Sequence, residues 1–352
     1  MGLEHRIQDV AALQAKVLPN VRRKPNVVGC GVGYKHTAGR ATDSISLVVL
    51  VRKKEPEGVL SQAERVEKEI DGVSTDVIEV GDMRLLGSLP AATWQETNPS
   101  LRRVPEPERL RRVRPAPAGV SIGHYQVSAG TFGAVVRRRG RLYILSNNHV
   151  LANASNGRDG KAKVGDPIVQ PGAYDGGVVG HDTIARLAAF APLYRTNDNQ
   201  QSVFTRGLNQ LLRALFRVSL TPERSPNNII DAALAEPVDN TVISPEIMGI
   251  GRVAGMARPE LGMKVRKSGR TTGVTQGKLL AVHVEMEVGY GDSTVEFTDQ
   301  LLFSRMSDPG DSGALVVSET GQGVGLLFAG SDKATLANPL ETVLKAFDAT
   351  LV

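Results

Sequence analysis

Apolar positions fall into three zones. After a short N-terminal helix, Val27, Val28 and Val32 stand among glycines over residues 26–34 and read as a strand. Residues 44–51, Ser-Ile-Ser-Leu-Val-Val-Leu-Val, form a stronger one, because β-branched and apolar side chains fill a strand-length run. Residues 60–66 have a helical pattern. Residues 68–80 read as a hairpin whose turn is Asp71-Gly72, a pair that tolerates positive φ. Residues 1–82 thus predict a small α+β unit. Residues 83–118 predict an extended, exposed linker open to proteolysis, since Pro99, Pro105, Pro107, Pro115 and Pro117 interleave with mutually repelling arginines.

From residue 119 onward, short apolar runs bounded by glycines predict a mainly β region, a barrel or a sandwich. Strands are expected at 131–137, 141–146, 229–235, 263–267, 278–288 and 324–328. One amphipathic helix is expected at 201–220, with Leu208, Leu211, Leu212, Leu215 and Phe216 on one stripe. It reads as an amphipathic surface insertion. A closing helix is expected over 340–351, with Asn338 as N-cap and Pro339 at the first helical position.

Composition narrows the function classes. The 352 residues are 41% apolar and 22% charged, as in ordinary globular proteins, and suit two or three domains. Much of the basic excess in the net charge of +5 sits within residues 101–114, where a solvated linker accounts for it better than nucleic-acid binding. The single cysteine, Cys30, excludes an internal disulfide and reads as a structural thiol. The N-terminus lacks the apolar core of a secretory signal, and no run approaches the roughly eighteen apolar residues of a membrane span. A cytoplasmic protein without membrane contact is the expectation. No metal-ligand spacing or phosphate-binding loop occurs, so no metal or cofactor is expected.

The segment Asp308-Pro-Gly-Asp-Ser-Gly-Ala314 is the richest in chemistry. A serine hydroxyl needs a neighbour to take its proton. The oxyanion it creates needs prearranged N–H donors. Here Ser312 is the candidate nucleophile, the amides of Gly310 and Ser312 the candidate oxyanion hole, and Gly313 leaves room for the substrate backbone. Of six histidines, His149 follows an apolar strand through the polar turn Ser146-Asn147-Asn148 and so can face a cleft. His124 is a weaker rival, and His181 and His283 read as ordinary strand residues. Asp231, alone in the apolar run Ile229-Ile-Asp-Ala-Ala-Leu-Ala235, needs a partner, and a histidine N–H supplies one.

Leu145-Ser-Asn-Asn-His-Val150, Asp231-Ala-Ala-Leu234 and Gly310-Asp-Ser-Gly313 resemble, in order, the three signature blocks of trypsin-like serine peptidases. The resemblance covers residues 119–352. The wider arrangement is similar to bacterial trypsin-like proteins with a small N-terminal unit and to plant proteins of the narrow-leaf type. It implies two six-stranded antiparallel barrels, the first over 119–240 with the helical insertion 201–220 and the second over 241–352 with the closing helix. It also implies a protein or peptide substrate, and a specificity pocket at Met306, Phe328, Ala329, Gly330 and Ser331. Without a carboxylate at the pocket base, an apolar or small side chain is expected there. The chain departs from the animal pattern in Asn147-Asn148, in Ala314, and in having no segment to supply a new N-terminal amine for Asp311, which is left a structural role. The alternative is a silent or restrained scaffold on the same fold, and self-association through the N-terminal unit stays open.

Overall fold

The computed structural model describes residues 2–37, 39–87, 106–127, 129–196 and 227–352. The expected helix 201–220 lies outside them. Helix α1 (Leu3–Val21) leads into β1 (Val27–Thr37), β2 (Arg40–Val51), the hairpin β3 (Glu69–Ile70) and β4 (Val73–Glu79), and β5 (Arg84–Leu85). Next come α2 (Pro107–Leu110), β6 (Ala116–Ala118), β7 (Ser121–His124), β8 (Gly130–Thr131), β9 (Ala134–Arg138), β10 (Arg141–Ser146), α3 (Asn148–Leu151), β11 (Pro167–Val169), β12 (Thr183–Phe190) and β13 (Ala233–Pro237). The remainder is β14 (Ile243–Ile247), β15 (Gly251–Arg252), β16 (Lys264–Gly269), β17 (Gly273–Tyr290), β18 (Ser293–Ser304), β19 (Leu315–Ser318), β20 (Gly323–Gly330), β21 (Ala334–Pro339), α4 (Leu340–Phe347) and β22 (Ala349–Leu351).

Two antiparallel barrels result. In the first, β9, β10, β13, β12, β11 and β7 pair in that order, and β7 pairs with β8. Phe132 and Gly133, between β8 and β9, keep cross-strand bonds to Val120 and Leu145, both 3.0 Å, so one bent strand closes the ring. In the second, β16, β19, β20, β21, β18 and β17 pair in order and β17 returns to β16. This is the two-barrel architecture of the trypsin-like peptidases. Each barrel is filled by inward Val, Leu, Ile and Ala with few aromatics, Phe132 and Phe303 among them.

Residues 1–82 are built onto the second barrel. Strand β1 pairs with β17, and β1, β2, β4 and β3 extend the same sheet. Val32, Leu47 and Val49 share an apolar cluster with Val265, Phe303 and Leu327. Helix α1 covers it with Val10, Leu18 and Val21. The glycines of Gly29-Cys-Gly-Val-Gly33 permit this: a Cβ at Gly29 would overlap the Glu285 carbonyl, and one at Gly33 would lie 2.6 Å from that of Leu280. The Asp71-Gly72 turn forms as expected, with φ of 47° and 77°.

Four expectations are corrected. Residues 60–66 form one turn, in which Arg65 N–H reaches the Ser61 carbonyl and no helix propagates. The span 83–118 is not exposed throughout. Arg109 is buried, donating to Gly119 O at 3.1 Å and Ser268 Oγ at 2.8 Å, and Ala116 and Ala118 enter the first barrel's core. Asn338 does not cap α4; it lies in β21 with its side-chain amide turned to Asp231. The final helix stops at Phe347, and β22 then pairs with β9, tying the end of the chain to the first barrel. Among the described residues no helix is long and apolar enough to cross a membrane.

Candidate active site

His149, Asp231 and Ser312 come from distant parts of the chain: His149 and Asp231 bond to each other, and His149 and the Ser312 turn border a cleft in which residues 86–87 lie between them. His149 sits on α3, the single helical turn that follows β10. Its Nδ1 hydrogen-bonds Asp231 Oδ2, and its backbone N–H donates to Asp231 Oδ1 at 3.2 Å. Both side chains are almost fully buried, at 2% and 0% exposure. Water therefore cannot compete for the carboxylate, and the imidazole is locked in orientation. Nε2 has no hydrogen-bond partner among the described residues. His124, the rival, is committed elsewhere: its Nε2 lies 3.1 Å from Asp166. His181 stands in a turn beside Asp182, not in a strand.

Asp231 lies just before β13, not inside a strand as expected. Two asparagines take the place of strand neighbours. Asn338 Oδ1 accepts from Asp231 N–H at 2.9 Å. The Asp231 carbonyl accepts from Asn147 Nδ2 at 2.7 Å and Asn338 Nδ2 at 3.2 Å. Asn148 holds the far side of α3 by accepting from Ser155 N–H at 3.1 Å and donating to its carbonyl at 2.9 Å. The Asn147-Asn148 pair is thus a clamp on the histidine and aspartate segments. Asn338 was not legible as part of it, because its neighbours read as a helix start.

The Ser312 turn is held from both barrels. Thr131 Oγ1 donates to Gly310 O at 2.8 Å, Thr131 N–H to Ser312 O at 2.7 Å, and Thr271 Oγ1 to Pro309 O at 2.7 Å. Beneath it, Asp311 and Lys267 form an ion pair of 3.0 Å with no exposure on either side chain. Asp311 also accepts from the amides of Thr271, Thr272 and Asp308 at 2.9–3.0 Å and from Thr272 Oγ1 at 2.6 Å. Burial pushes its carboxyl up, but Lys267 and these donors outweigh burial and hold it below the usual range. An internal lysine thus neutralises the carboxylate that a new terminal amine meets in the animal pattern.

Gly310 and Gly313 adopt φ of 100° and 91°. The room at Gly313 serves packing and not substrate: a Cβ there would overlap Ser146 Oγ and the Thr131 carbonyl. Ser312 Oγ donates to the Phe328 carbonyl at 3.2 Å, so rotation about χ1 must precede any bond to Nε2.

The expected pocket residues separate by role. Met306 is buried in the cluster that contains Leu327 and Leu86. Phe328 turns its ring into the core against Phe297, centroids 4.5 Å apart, and offers only its carbonyl to the cleft. Ala329 and Gly330 lie on β20 opposite Leu85 and Arg84 of β5. Ser331 leaves the cleft, its hydroxyl donating to Val80 O at 2.5 Å.

The chain's own residues 84–87 lie in this cleft. Leu86 N–H donates to Phe328 O at 3.2 Å, and Leu86 O accepts from the Gly310 amide at 2.9 Å.

No protein-family model and no curated protein matches the chain. Serine proteases are among the solved structures to which the chain is similar. Thermobifida fusca protease A is 16% identical, with 67% of this chain and 99% of that one covered, at a TM-score of 0.44. Cellulomonas bogoriensis chymotrypsin is 17% identical, with 67% and 97% covered, at 0.42. Nocardiopsis protease is 18% identical, with 67% and 99% covered, at 0.43.

Cys30 stands outside the site. It is fully buried in β1, and burial pushes its thiol up to about 12.

Proposed function

We propose that the protein is a serine endopeptidase acting on protein or peptide substrates through an acyl-enzyme. The observation that carries the reading is His149, bound through Nδ1 to a fully buried Asp231 while Nε2 has no hydrogen-bond partner among the described residues. A carboxylate at Nδ1 fixes the tautomer in which Nε2 accepts a proton, and it stabilises the imidazolium that follows. Ser312 is the nucleophile: it loses its proton to Nε2 as Oγ attacks the carbonyl, and His149 returns that proton to the leaving amine. Gly310 N–H, joined by that of Ser312, receives the oxyanion. The Lys267–Asp311 pair and the threonine bonds preorganise that turn, which makes its amides effective as the charge develops.

The cleft beside Met306 takes an apolar or small side chain, since a charged group there would be desolvated without a partner. A fluorophosphonate probe is expected to label the wild type at Ser312 once the cleft is open, and to spare Ser312→Ala. Equal labelling of both would remove Ser312 as nucleophile. Cleavage confined to Lys or Arg sites in a peptide library would remove the apolar preference.

A further inference from the structure

We propose that this protein cuts its own chain between Leu86 and Gly87, an inference that rests on the peptidase reading above. Four contacts place that peptide bond at the reacting centre. First, β5 runs antiparallel to β20, with Arg84 opposite Gly330 and Leu85 opposite Ala329. An extended peptide added to a strand in this way is how a sheet edge holds a ligand backbone. Second, Leu86 N–H reaches the Phe328 carbonyl, which also accepts from Ser312 Oγ, so the nucleophile and the Leu86 amide share one acceptor. Third, the Leu86 carbonyl oxygen lies on the Gly310 amide at 2.9 Å, where the oxyanion would form. Fourth, a Cβ on Gly87 would stand 2.6 Å from His149 Cδ2 and 3.0 Å from Nε2, so the residue bearing the leaving nitrogen lies against the proton-carrying edge of the imidazole.

The side chain agrees with the backbone. Leu86 is 3% exposed and shares the apolar cluster of Met306. A Cβ at Gly330 would be 3.3 Å from both Leu86 methyl carbons, so Gly330 is the wall the leucine packs on. The segment is delivered there by the N-terminal unit. Val80 and Gly81 are tied to Val51 and Arg52 at 2.8 and 3.1 Å, Ser331 Oγ holds the Val80 carbonyl, and Gly289 N–H holds the Met83 carbonyl at 2.9 Å. These ties make the encounter intramolecular and oriented, which replaces the entropy a separate substrate would lose.

The step balances with water as the only co-reactant. Ser312 Oγ turns from the Phe328 carbonyl and bonds the Leu86 carbonyl carbon, passing its proton to His149 Nε2. The Leu86–Gly87 C–N bond breaks as that proton moves to the Gly87 nitrogen. Water then attacks the Leu86–Ser312 ester and gives a proton to His149, which passes it to Ser312 Oγ as the ester bond breaks. The new Leu86 carboxyl loses its proton to solvent, leaving a Leu86 carboxylate, a Gly87 α-amine and the free serine. Because β1 stays paired with β17 and the cores are shared, fragment 1–86 remains attached.

The test is intact-mass spectrometry and N-terminal sequencing of full-length protein, as wild type and Ser312→Ala. The wild type is expected to separate under denaturing conditions into 1–86 and 87–352, with Gly87 as the new N-terminus, and Ser312→Ala to stay whole. Wild type added to Ser312→Ala is expected to leave it uncut. The wild-type half-life should hold within about twofold over a roughly hundredfold dilution, as a unimolecular step requires. Leu86→Asp, which places a carboxylate in an apolar pocket, should slow cutting at least tenfold or so, and Leu86→Met should restore it. Cutting at another bond, in Ser312→Ala alone, or only in trans overturns the proposal. Probe labelling of Leu86→Asp reads the peptidase separately. An uncut wild type with Ser312 labelled in that variant refutes self-cleavage and leaves the peptidase reading standing; an uncut wild type with no labelling refutes both.

Discussion

Replacing Lys267 by methionine removes one half of a charge pair that water does not reach. Both side chains have no exposure, and Nζ lies 3.0 Å from Asp311 Oδ2. At that distance the direct attraction is of order 5 kcal/mol with an effective dielectric constant near 20. Breaking a buried pair by removing one partner costs about 3–5 kcal/mol. Asp311 keeps four other donors, from Thr271, Thr272 and Asp308, which places the cost near the lower end, about 3 kcal/mol. An unfolding entropy of roughly 2.1 cal/mol/K per residue, over the chain as one cooperative unit, converts this to a fall in Tm of about 4 °C. Calorimetry measures it. The pH dependence gives a second reading. A carboxyl held below its unfolded value contributes stability that is present above that value, about 3.9, and lost as pH falls through the folded one. Without Lys267 the Asp311 carboxyl rises, so acid unfolding of Lys267→Met should begin at higher pH than in the wild type. Peptidase kcat/KM should fall by about tenfold as the Gly310 amide loosens. Adding Asp311→Asn removes the stranded charge and should recover about 1 kcal/mol or more. A double variant no more stable than Lys267→Met would refute the account.

Asn338→Ala strips the Asp231 amide of its acceptor and leaves two buried carbonyls short of a donor, so stability should drop by about 2–3 kcal/mol. If Asp231 orients His149, kcat should fall while KM changes little; unchanged kcat in the folded variant would separate Asn338 from the chemistry. Cys30 should resist a thiol reagent at pH 8 until denaturant is added, and rapid labelling of folded protein would contradict its burial.

As candidates, His149, Asp231 and Ser312 were legible because each breaks its surroundings in a way that needs explaining: a histidine on a polar turn, an aspartate in an apolar run, a serine in a glycine-flanked turn. The barrels were legible because alternating apolar runs and glycine turns record the strand period locally. The Asp71-Gly72 hairpin was legible for the same reason, its turn being a two-residue property. Asn338 was misread, since Asn-Pro before an apolar run looks like a helix cap and its real partner, Asp231, is 107 residues away in the chain.

Sequence alone therefore determined the strand and turn pattern and the residue types of the candidate triad, since periodicity and cost of burial act over a few neighbours. Only the tertiary structure decided which distant groups meet. It paired Lys267 with Asp311, seated β1 on β17 through glycines that admit a close backbone, and turned residues that look like the start of a linker into a strand in the cleft. Nothing local to Met83-Arg-Leu-Leu-Gly87 marks it for that place. Its position follows from the sheet that carries it and from the carbonyl and amide of Phe328 and Gly310 that receive it.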